Sequence, residues 1–203
     1  ELNAAHKKMM ARYGNMTVLF HGATNKVIDA IRAEGFRITE GQRAGFFGGN
    51  NTVQNQAVFL SEDKQLARAF GANRDPFEGR NSGVLEVRAD IHSTLDMTQW
   101  GSRIPADLRK LGLQLITDWE GRPIRRPRQE DIFWLIDQPE FVEAVKALRY
   151  DSVRFAESTA TKKALGFSKA AGDTIAVFDP RKLHLVPPPL RGVGGLFRYL
   201  LER

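Results

Sequence analysis

The last third of the chain constrains its fold most. Three short apolar runs, "DSVRFAE" from Asp151, "DTIAVFDP" from Asp173 and "KLHLV" from Lys182, follow one another without a clear crossover helix between them. Parallel neighbours need a long crossover, usually helical, so these runs predict antiparallel pairing and disfavour a simple alternating parallel sheet. Earlier strands look different. "MTVLF" leads into "TNKVIDAIRAEG", with Val27, Ile28 and Ile31 at helical spacing, Thr24 or Asn25 as N-cap and Gly35 as the stop. On this reading His21 and Gly22 sit at a strand-to-helix junction.

"AVFL" followed by "SEDKQLARAFG" repeats the arrangement, with Ser61 read as N-cap, Glu62 and Asp63 in the first turn and Gly71 after the helix end. "GVLEVRADI" alternates as a strand with one wet face. The segment from Pro105 to Tyr150 reads as helical, with Phe141, Val145 and Leu148 on one face of "QPEFVEAVKALRY". "LNAAHKKMMARY" reads as an amphipathic helix ending at Gly14. Residues 39–56, with four glycines and many amides, read as a long loop. The sum is an α+β chain, with two small mostly antiparallel sheets forming a cleft flanked by helices.

With 203 residues, 42% of them hydrophobic, and no internal repeat or long linker, residues 1–203 are expected to form one domain. The chain has no cysteine, which excludes a disulfide framework and a thiolate metal site, and no metal ligands are singled out. No apolar run reaches the roughly 18–20 residues that span a bilayer, so no membrane partner is expected. The chain begins at Glu1 rather than Met, which reads as a processed or excised domain and leaves localisation unknown. A net charge of +6 favours anionic partners, whether an acidic protein surface or RNA or DNA. Arg122, Arg125, Arg126 and Arg128 concentrate that charge in "GRPIRRPRQED", kept extended by Pro123 and Pro127. A solvated loop pairing with nearby carboxylates is one reading of it; a loop that contacts phosphate or a partner is the other.

Three segments in order, "LFHGAT", "AVFLSEDKQLARAF" and "YDSVRFAES" followed by "DTIAVFDPRKL", resemble the diphtheria-toxin and poly(ADP-ribose)-polymerase branch of the ADP-ribosyltransferases, over about residues 16–186. The resemblance implies an enzyme, a glycosyltransferase that cleaves the nicotinamide–ribose bond of NAD and transfers ADP-ribose to a protein or nucleic-acid acceptor. NAD is then a substrate rather than a resident cofactor. It further implies a toxin or effector domain delivered into a target cell's cytoplasm, with an immunity or regulatory protein as a partner.

That chemistry forms an oxocarbenium-like sugar, so the site must hold the dinucleotide still and stabilise a cation. His21 suits a ribose hydroxyl, and Gly22 lets bare backbone meet the nicotinamide amide. The resemblance places Phe59 and Phe70 at two aromatic positions that stack on the nicotinamide ring, where tyrosine is usual. Ser61 and Lys64 lie near enough in sequence to contact ribose or phosphate, or serve as a helix cap and a surface lysine. The late strand departs from the family pattern. Thr174 stands where a glutamate is usual, with Asp173 one position before it, and the two cannot share a face of a regular strand. Either Asp173, the preferred candidate, replaces the glutamate through a bulged start, or a carboxylate comes from elsewhere, Glu157 being next.

Two other readings stay open. An RNA 2′-phosphotransferase would share the His-Gly strand but need a second histidine, and His92 and His184 do not fall where it is expected. A non-catalytic binding module would explain Thr174.

Overall fold

The computed structural model describes residues 14–38, 40–42, 52–54, 56–73, 81–100, 105–109, 120, 122–124, 131–157, 166 and 172–186. In chain order they form β1 (Thr17–Thr24), α1 (Asn25–Glu34), β2 (Glu40–Gln42), β3 (Thr52–Gln54), β4 (Val58–Ser61), α2 (Lys64–Asn73), β5 (Ser82–Ala89) and β6 (Thr94–Asp96). Then come α3 (Ala106–Arg109), α4 (Asp131–Asp137), α5 (Pro139–Ala147), β7 (Ser152–Phe155), β8 (Thr174–Val177), a 3-10 turn (Pro180–Lys182) and β9 (Leu183–Leu185). The expected helix before Gly14 lies outside the described residues.

The class is α+β, as the strand pattern predicts, but the main sheet is one rather than two. Seven strands run in the order β6-β7-β8-β4-β1-β5-β9. The expected halves are joined because β1 and β4 pair at Phe20↔Ser61. That junction is thin: one register pair, against eight between β1 and β5. All pairings in this sheet are antiparallel except β6 with β7. The exception follows from connectivity, because the chain between those two strands carries α3, α4 and α5 and is long enough to cross over. Within the expected long loop, Glu40–Gln42 and Thr52–Gln54 pair as a separate two-stranded ladder.

The sheet is covered on both faces at its centre. Alternation along β4 and β8 sends Ala57, Phe59, Ala176 and Phe178 to one side, where they pack with Ile132, Leu135 and Ile136 of α4, Phe141, Val142 and Val145 of α5, and Val153 and Phe155 of β7. It sends Val58, Leu60, Ile175 and Val177 to the other side, against Leu19, Val87, Phe36 and Ile28 and Ile31 of α1. All four residues of β8 are buried, as a strand with apolar cover on both faces requires. In β5 only Leu85, Val87 and Ala89 are buried, so the single wet face expected there is present.

Three local expectations change. β1 continues to Thr24, held in register by Thr24↔Ser82, so His21 and Gly22 lie inside the strand rather than at its mouth. Thr24 is the N-cap of α1 without a side-chain cap bond, and Gly35 ends the helix at φ 81°, its N–H donating to the Ile31 carbonyl. Ser61 is not the cap of α2, because pairing with Thr174 keeps it in β4. Asp63 takes that role, its Oδ1 accepting from the amides of Gln65 at 2.7 Å and Leu66 at 3.2 Å. Nor does Gly71 follow the helix; it lies within it.

Candidate active site

The site begins where β1 and β4 stop pairing. Beyond Phe20↔Ser61, a continued antiparallel ladder would set Gly22 opposite Phe59. Instead the His21 ring reaches the Phe59 carbonyl oxygen, with Nδ1 at 2.9 Å. A carbonyl only accepts, so Nδ1 carries a proton. Phe36 meets the same ring edge-on, centroids 5.4 Å apart. These two contacts fix the position and tilt of the imidazole.

Gly22 lacks a side chain for a reason the sequence alone does not give. A Cβ there would stand 1.6 Å from the Ala67 carbonyl oxygen of α2. One at Gly71 would stand 2.8 Å from the Ala23 amide nitrogen. Two glycines thus let a helix lie directly on the strand backbone. Phe70, three residues after Ala67 in α2, is half-buried.

Strand alternation then sorts the remaining candidates by face. Phe20, Ser61, Thr174 and Phe155 are register partners in sequence across β1, β4, β8 and β7, so their side chains share a face. Phe59 is on that face, with its ring edge-to-face to Phe155 at 6.4 Å, and Phe155 in turn meets Phe133 at 5.2 Å. Helix α2 lies over the same face, since the missing Gly22 Cβ points at it. His21 alternates to the opposite face and meets Phe59 through its backbone rather than its ring.

The carboxylates divide in the same way. Asp173 immediately precedes β8, and its Oδ2 accepts from Arg154 Nε at 2.9 Å, while Arg154 NH2 reaches Glu62 at 3.0 Å. Arg154 is the register partner of Ile175, so this ion cluster occupies the face opposite Thr174. Thr174 instead donates its hydroxyl proton to Glu157 Oε1 at 2.6 Å, and both residues are 4% exposed. The sequence paired neither Arg154 with Asp173 nor Glu157 with Thr174. The alternation of "SVRF", which turns Arg154 away from Val153 and Phe155, is the signal that pointed to the first.

Ser61 is buried and structural in its contacts. Its Oγ accepts from the Asp63 amide at 3.0 Å and lies 3.5 Å from the Asp173 carbonyl, tying the β4–α2 turn to the start of β8. Lys64 is exposed, its Nζ 6.0 Å from the Phe20 ring centroid. Of the arginine segment, Arg122 pairs with Glu120 at 2.5 Å, as the solvated-loop reading expects, and Arg125, Arg126 and Arg128 lie outside the described residues. His92 is exposed beside Asp90 at 3.0 Å, and His184 stands on β9 opposite Arg88, both away from the β1–β4 junction.

Asp151 organises the far side of the sheet. Its carboxylate accepts from the His92 amide and from Lys182 Nζ, each at 2.9 Å, and from Ser152 Oγ at 3.1 Å. Burial alone would raise its pKa, but these donors and the lysine charge outweigh burial and lower it. Among the described residues no helix is long and apolar enough to cross a membrane. No protein-family model and no curated protein matches the chain.

Proposed function

We propose that the chain is an ADP-ribosyltransferase that cleaves the nicotinamide–ribose bond of NAD and transfers ADP-ribose to an anionic macromolecular acceptor, as a toxin or effector domain would. The observation that carries the reading is the arrested ladder between β1 and β4, where an imidazole, not a backbone amide, takes the Phe59 carbonyl. On this proposal the β1 edge at Gly22 meets the nicotinamide carboxamide, which can both donate to and accept from backbone. Phe59 and Phe70 stack on the cationic ring, worth about 0.5–2 kcal/mol per contact. The His21 imidazole meets a ribose hydroxyl. The Phe59 ring and the imidazole lie on opposite faces of the sheet, so the ligand of this proposal meets both at the edge where β1 and β4 part.

The test is release of nicotinamide from NAD by the purified chain, followed by transfer of labelled ADP-ribose in cell lysate separated into protein and RNA fractions. Nicotinamide release and label in one fraction are expected, and His21→Ala, checked as folded by circular dichroism, should lower release at least tenfold. A folded wild-type chain that releases no nicotinamide removes the proposal. A second reading, a module that binds NAD without turning it over, draws on the uncharged Thr174 and on the neutralisation of Asp173 by Arg154. Saturable NAD binding by calorimetry with no release would select it.

A further inference from the structure

We infer that Glu157 and Thr174 act as one unit, in which a carboxylate just beyond β7 supplies, through the hydroxyl at the start of β8, the negative charge the reaction needs. The inference rests on the ADP-ribosyl reading above. At 2.6 Å, the Thr174 hydroxyl to Glu157 Oε1 contact has the length of a charge-assisted bond to a carboxylate. Both groups are buried, where such a bond is little screened by water. Thr174 shares its face with Phe59 and with the α2 side of Gly22, whereas Asp173 is turned away and held by Arg154.

A hydroxyl has a single proton. Because Thr174 gives its own to Glu157, it faces a ligand only as an acceptor, with electron density drawn from the carboxylate behind it. Such an acceptor orients a ribose hydroxyl and stabilises positive charge at the neighbouring anomeric carbon. In hydrolysis the bond from ribose C1′ to the nicotinamide nitrogen breaks, and its electron pair stays on that nitrogen, which becomes neutral. The oxygen of water then bonds to C1′, and its proton leaves to solvent. Thr174 touches the substrate, and Glu157 is a positioning residue that acts through it.

The experiment compares nicotinamide release, the KM for NAD and thermal unfolding for the wild type, Thr174→Ser, Thr174→Val, Glu157→Gln and the double variant Glu157→Gln/Thr174→Glu. Thr174→Ser keeps the hydroxyl and should stay within about threefold of wild type. Thr174→Val and Glu157→Gln should each lower kcat roughly 100-fold with little change in KM, the size expected for one lost transition-state contact. The double variant returns a carboxylate to β8 and should recover to within about tenfold of wild type, which a purely structural pair would not do. Where Glu157→Gln does not fold, the contrast between Thr174→Ser and Thr174→Val decides. Equal rates for those two, or a folded Glu157→Gln as fast as wild type, or a folded double variant no faster than folded Glu157→Gln, overturn this inference alone. A wild type that releases no nicotinamide overturns the NAD reading and this inference with it.

Discussion

A glycine next to a candidate catalytic histidine is readily read as room for a ligand. At Gly22 the room is taken by a helix. The hypothetical Cβ lies 1.6 Å from a backbone oxygen, which cannot rotate away as a side chain would, so accommodating alanine requires α2 to move off β1. Gly22→Ala is therefore expected to destabilise the fold by about 3 kcal/mol or more, measured by denaturant unfolding. Gly35 offers the contrast. It has φ 81° with ψ 179°, a region essentially restricted to glycine, but open space around its Cβ position, so Gly35→Ala should cost about 1–3 kcal/mol, from backbone strain alone. A Gly22→Ala protein as stable as Gly35→Ala would show that the α2 contact is not fixed. The sequence supplied the residue type at position 22 correctly, yet its main contact is with Ala67, forty-five positions away, and no local pattern encodes that.

Elements show the same division between local and distant information. The helices α1 and α5 were legible because their apolar spacing and their stops are local, as Gly35 demonstrates. The end of β1 and the cap of α2 were not. Both were displaced by strand pairing, with Ser82 extending β1 and Thr174 retaining Ser61 in β4. The candidate acids follow the same rule: the sequence named Asp173, Thr174 and Glu157, but only register decides which of them share a face. Asp151 is a further case of a residue that joins elements, since it links the loop before β6, the start of β7 and the turn before β9. Its folded pKa is lowered, so its contribution to stability is fully present above the ordinary value of 3.8 and is lost as pH falls below it toward the folded value. Asp151→Asn should destabilise the protein at neutral pH by about 1–3 kcal/mol and flatten the loss of stability below about pH 4. Urea unfolding of both proteins from pH 7 to pH 3 measures this, and parallel pH profiles would exclude Asp151 as a source of the acid sensitivity.

At the scale of the molecule, β4 and β8 are shared walls between two apolar clusters. Leu135 belongs to the cluster beneath α4 and α5, and Leu60 to the one beneath α1, each at most 2% exposed. Alternate residues of the same two strands contribute to each cluster, so neither can melt while leaving the other its wall. Leu135→Ala and Leu60→Ala should each cost about 2–5 kcal/mol and shift a single unfolding transition. Two separate transitions in calorimetry of either variant would show that the clusters unfold independently.

The seam between β1 and β4 has a mechanical corollary. Past the register pair of Phe20 and Ser61, what spans the two strands is a side-chain bond from His21 to the Phe59 carbonyl, so parting them there disturbs no row of interstrand bonds. The imidazole of His21 is the latch of that seam, and its removal would leave the two strands tied at one point.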